Sequence, residues 1–152
     1  MPYSAKKFSF RLQTLLNIEE NKERQAQQAF KKAIEEQRRQ EAILEQQKEE
    51  MVRSQQAMLN DIQQGAAPQQ LAAYDAYFHG LVEQMDAQQK RIAEAAQAAE
   101  TARQHLAECS KKKKTLEKLK ETALENYNDE VRKVENTLMD EIGSVMVARK
   151  GQ

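Results

Sequence analysis

The chain has 152 residues, 24 basic and 24 acidic, so its formal net charge is zero. Aromatics make up only 5% and Trp is absent, while charged residues reach 32%. A profile dominated by Ala, Glu, Gln, Lys and Leu excludes a thick globular core and describes long, exposed helices; neutrality also argues against nucleic acid as the main partner, because phosphate binding draws on a basic excess.

The opening, Met1 through Lys7, contains no apolar stretch of the signal-peptide kind, and no run reaches the roughly 18 apolar residues of a membrane span. The single cysteine, Cys109, allows no internal disulfide and fits a reducing compartment. A cytoplasmic protein is expected.

Neither Gly nor Pro occurs from Tyr3 to Gln64, and neither occurs from Leu81 to Ile142. Between these stretches stands Gln63-Gln64-Gly65-Ala66-Ala67-Pro68. Gly65 suits the left-handed position past a helix end, and Pro68 suits the first turn of the next helix. The reading is an all-α, long antiparallel two-helix coiled-coil hairpin forming a single domain over 1–152. Helix 1 covers about 10–64, the hinge 65–68, and helix 2 about 68–148.

In the first arm the best apolar seam is Ala26, Phe30, Ala33, Gln37, Gln40, Leu44, Gln47, Met51, Ser54 and Met58. Its four polar positions make it weak alone. After the hinge comes Tyr74-Asp75-Ala76-Tyr77-Phe78, in which Phe78 belongs to the seam, Tyr74 can lie there, and Tyr77 is one position off and partly exposed. These aromatics either close the end of the coiled coil or anchor a partner.

The second arm is clearer. Steps of four and three from Tyr74 reach Phe78, Leu81, Met85, Gln88, Ile92, Ala95, Ala99, Ala102, Leu106, Cys109, Lys113 and Leu116, with only Gln88 and Lys113 breaking the apolar rule. That is a heptad seam of the supercoiled kind. Beyond it the phase slips through Leu119, Ala123, Tyr127, Val131, Val134, Leu138, Ile142 and Val145, a stutter. Folding at the hinge sets Met51 near Leu81, and the stretch from Val131 outruns the first arm, leaving an apolar stripe that either frays in solution or serves as a site for another protein.

Catalytic chemistry is missing from the pattern. Four glycines build no phosphate-cradling loop. His79 and His105 lie 26 apart on one helix and read as surface residues rather than metal ligands. Cys109 reads as a small seam hydrophobe. Lys111-Lys112-Lys113-Lys114, with Lys118 and Lys120, reads as a solvated face balanced by Glu on the facing arm; its functional reading is an acidic partner. No enzyme and no cofactor are expected.

The two ends resemble the FliJ family of flagellar export proteins. Phe8-Ser9-Phe10-Arg11-Leu12-Gln13-Thr14-Leu15-Leu16-Asn17-Ile18-Glu19-Glu20 is similar to the family's Phe-rich opening with R-L-Q and a paired Leu. Leu116-Glu117-Lys118-Leu119-Lys120-Glu121, then Tyr127, Glu130, Arg132, Glu135 and Asp140-Glu141, follow its closing pattern. The resemblance implies a non-enzymatic hairpin similar to the gamma-subunit stalk of rotary ATPases. It would insert into the hexameric flagellar export ATPase, link it to the membrane export gate of the type III secretion system, and handle export chaperones in flagellum biogenesis and motility.

Carried over by position, the resemblance puts Phe10, Leu12, Leu15 and Leu16 with Leu138, Asp140, Glu141 and Ile142 at the ATPase-facing end, and Tyr77 and Leu81 at the gate contact. Gln47, Glu50 and Ser54 depart from the aromatic or aliphatic contacts of some relatives. A monomer is implied, at the membrane only through its partners. The alternative is a homomeric scaffold coiled coil without an ATPase partner.

Overall fold

The computed structural model describes residues 7–151; the reading of Met1 to Lys6 as a non-secretory opening lies outside them. Two helices account for nearly all of it: α1 (Gln13–Gln63) and α2 (Pro68–Lys150). At about 1.5 Å per residue, the 51 residues of α1 and the 83 of α2 are near 75 Å and 125 Å long. The all-α hairpin coiled coil is thus the observed fold.

The turn forms for the reasons its residues suggest. Gly65 has φ +87°, a conformation that burdens any side chain, although open space surrounds the position a Cβ would take. Its N–H donates to the Ile62 carbonyl at 3.1 Å and that of Ala66 to Asp61 at 3.0 Å, the two bonds of a Schellman motif. On the far side, Pro68 opens α2 and Gln70 Oε1 accepts the Ala67 N–H at 3.0 Å, occupying a donor the new helix cannot satisfy itself.

Packing divides the chain into two units. The turn unit spans Gln25–Ala107, and here the facing stretches of α1 and α2 run antiparallel. Every position of the expected α1 seam from Ala26 to Met58 is buried or half-buried. The α2 positions from Tyr74 to Ala102 behave alike, Leu81 and Ala99 being the deepest apolar ones. Gln88 is fully buried: its Nε2 donates to the Gln40 carbonyl at 2.7 Å and to Gln40 Oε1 at 2.8 Å, while its own Oε1 has no partner.

The terminal unit joins the stretch ending at Arg24 to the stretch beginning at Glu108. Its buried apolar residues are Leu16, Cys109 and Leu116. The α1 seam runs back past Ala26 through Glu23, Glu19 and Leu16 to Leu12, two of those positions being buried carboxylates. Glu23 meets Lys113 Nζ at 2.8 Å. Phe8 packs on Tyr127 with ring centroids 5.6 Å apart.

The phase slip falls later than the apolar pattern implies. Lys120 is half-buried and Leu119 is 48% exposed, so the heptad continues from Leu116 through Lys120 and Ala123 to Tyr127. A lysine suits a half-buried place because its long stem can cover apolar surface while its ammonium keeps to water. Two fours in succession fall at Ala123–Tyr127–Val131, after which Val134 and Leu138 resume steps of three and four.

Candidate functional site

Two regions carry the residues singled out by sequence. In the terminal unit, consecutive leucines divide: Leu16 is 2% exposed in the seam while Leu15 is 42% exposed. Phe10 and Leu12 are half-buried, and their carbonyls accept the N–H groups of Gln13 and Leu16 where α1 begins. Past the Phe8–Tyr127 contact, α2 continues with Val131, Val134 and Leu138 half-buried. Asp140 and Glu141 are exposed, and so are the apolar Met139, Ile142, Val145, Met146 and Val147. A helix apolar on several faces and open to water is poorly suited to standing alone.

The basic cluster is split by one ion pair. Lys113 turns to the facing arm and bonds Glu23, whose carboxyl is held below its ordinary range by that ammonium and by the Ser110 hydroxyl. Glu117 also approaches Lys113, at 3.6 Å. Lys111, Lys112 and Lys114 stay exposed. Among the described residues, the facing-arm Glu expected to balance the cluster is bonded to Lys113 alone of the four.

In the turn unit, both early tyrosines of α2 donate to carboxylates of α1: Tyr74 to Asp61 at 2.5 Å and Tyr77 to Glu50 at 2.7 Å. Glu50 also accepts Arg53 and Ser54, and Arg53 first, then Tyr77 and Ser54, hold its carboxyl down to about 2. Asp61 in turn raises the Tyr74 hydroxyl above its ordinary range. Glu50, Ser54, Asp61, Tyr74 and Tyr77 line an open groove of about 530 Å³ between the arms, beside the turn. Tyr74 stacks near Phe78, with centroids 6.1 Å apart. Tyr77 is 44% exposed, whereas Leu81 is buried in the seam at 6%.

Glu50 is thus the partner that fixes Tyr77, and Ser54 bonds the same carboxylate. Sequence reasoning missed both this role and that of Asp61. The signal was there in the charge pattern, since residues 41–86 hold eight acidic and two basic side chains.

Catalytic geometry does not emerge. Among the described residues no group of three or more His, Cys, Asp or Glu is placed to hold a metal ion. His79 bonds the Asp75 carbonyl of the preceding helical turn at 2.8 Å. Nor is any helix among them long and apolar enough to cross a membrane.

The fold and its two exposed ends define an antiparallel coiled-coil hairpin whose working parts are surfaces. The chain matches the profile of the flagellar FliJ proteins over residues 8–152, and it belongs to that family. Its role is accordingly non-enzymatic and lies in flagellar export. Comparison with curated proteins and comparison with solved structures each gave no match.

Proposed function

We propose that the chain is the stalk-like coupling protein of the flagellar export apparatus. Its terminal unit enters the hexameric export ATPase, and its Tyr77 segment contacts the membrane export gate. It also passes export chaperones along, working in the cytoplasm at the inner-membrane face through these partners. One observation carries the reading: the exposed apolar residues of α2 past Tyr127, which nothing among the described residues covers.

Burying several such side chains at roughly 25 cal/mol per Å² of apolar surface offers several kcal/mol before ordering and association costs are subtracted. Leu15, Ile142 and the Asp140–Glu141 pair are exposed and free to meet the ATPase, with Phe10, Leu12 and Leu138 at the margin. Leu16 and Leu81 act from inside the seam by holding Leu15 and Tyr77 in place.

Removal of residues 130–152 tests the reading, because it spares the Phe8–Tyr127 contact. The shortened chain should remain helical and monomeric yet lose stimulation of the export ATPase and of its hexamer assembly. Undiminished stimulation would remove the terminal unit from the ATPase. A dimer of the intact chain, read by mass in solution, would favour the homomeric scaffold.

A further inference from the structure

Charge is unevenly spread in this neutral chain. Residues 41–86, which include the turn, carry eight acidic and two basic side chains, a net of −6 against a total of zero. One of the two bases, Arg53, is already engaged by Glu50 at 2.9 Å. Among the described residues Asp61 has no cation: its Oδ2 accepts the Tyr74 hydroxyl, and its Oδ1 accepts no hydrogen bond from them. Asp61 shares the groove beside the turn with Glu50, Gln70, Tyr74 and Tyr77, so an open carboxylate oxygen and an exposed phenol ring line one concavity.

We infer that this groove receives an arginine side chain from a basic segment of a partner protein. The inference rests on the reading of the Tyr77 segment as a partner contact and gives that partner its chemistry. A guanidinium supplies planar paired donors that suit a carboxylate and a flat cationic face that stacks on a phenol ring. The surrounding negative field draws a basic segment in and speeds its encounter. The same field repels nucleic acid and anionic lipid.

The test uses the full chain, isotopically labelled, with the peptide Ac-Gly-Arg-Leu-Leu-Arg-Gly-NH2 as probe and versions carrying Lys or Glu in place of Arg as controls. Backbone amide shifts should concentrate at 50–61 and 70–77, weaker with the Lys peptide and absent with the Glu peptide. Asp61→Asn keeps the shape and should weaken binding about tenfold, the effect of losing a charged hydrogen-bond acceptor. Tyr77→Phe should bind nearly as well as the parent, and Tyr77→Ala less well.

Equal binding by Asp61→Asn would overturn the inference, as would shifts spread evenly over every acidic stretch including Asp140 and Glu141. Self-association abolished by neutralising Lys111 and Lys112 would overturn it too, assigning the groove to a second copy. Gate capture is scored separately. A parent chain that takes the arginine peptide, while Tyr77→Ala still captures the gate fully, keeps the inference and loses the gate reading. Capture through Tyr77 without peptide binding does the reverse.

Discussion

Around the turn, the buried side chains are Ala26, Leu81, Ala99 and Gln88; around the chain ends they are Leu16, Cys109 and Leu116 with the carboxylates Glu19 and Glu23. The turn unit therefore buries two alanines and one leucine most deeply, keeps its larger seam residues half-buried, and secures its alignment with a neutral amide pair. The terminal unit packs larger aliphatic residues and secures its alignment with an ion pair. Both strategies suit a seam one layer deep, where apolar burial is too thin to select among neighbouring alignments and a polar residue discriminates better. They differ in what disturbs them. An amide pair ignores pH, whereas a carboxylate does not.

The largest effects should come from the seam leucines. Leu81→Ala in the turn unit and Leu116→Ala in the terminal unit should each cost about 2–5 kcal/mol, read by urea unfolding. Amide exchange then shows where the loss falls: the comparison predicts loosening concentrated in the mutated unit. Equal loosening of both by either change would make them one cooperative body.

Gln88→Leu should act differently. It removes a fully buried amide whose Oε1 has no partner, so stability should change by no more than about 1 kcal/mol. Specificity should suffer instead. In a Cys109→Ser background, a cysteine at Met51 scanned against cysteines at positions 77–85 should give one dominant crosslink in the parent and several in the Leu variant. A single crosslink in both would show that the apolar packing sets the alignment unaided.

The smallest effect is the pH response. Glu23 titrates lower in the folded chain than its ordinary value near 4.3. Its contribution is thus present in full above that value and is lost as pH falls through the lower folded one. Acidification from about pH 5 to below 4 should destabilise the parent more than Glu23→Gln, seen in melting curves across that window. The turn unit has a counterpart in Glu50, also lowered, yet its side chain is 40% exposed and its share is correspondingly weaker. Parallel melting curves for parent and variant would remove the ion pair from the account of the terminal unit.

Much of the fold was legible because its signals are local. Gly65 and Pro68 mark the turn by their own backbone limits, and the α2 heptad from Tyr74 to Leu116 follows from side-chain type alone. What escaped was the acidic part of the α1 seam and the polar bonds between the arms. Glu19 and Glu23 read as solvated acids in the sequence, and only the facing arm, with Lys113 bonded to Glu23, shows that the α1 seam continues below Ala26. Leu119 looks more like a seam residue than Lys120, but Ala123 and Tyr127 hold the phase. The site divides likewise: the exposure of Tyr77 could be read from its offset, whereas its bond to Glu50, 27 positions earlier, could not.

The four residues 64–67 between the helices leave no slack, and Gln88 bonds Gln40 through both backbone and side chain. A seven-residue deletion between Gln40 and Gly65 would preserve the heptad pattern of α1. It would nevertheless bring Ala33 opposite Gln88 and strand the buried amide. The two strands of this unit are thus bound to a common ruler: either can be shortened or lengthened only if the other is edited by the same amount at the matching level, and a lineage altering one without the other gives up the alignment.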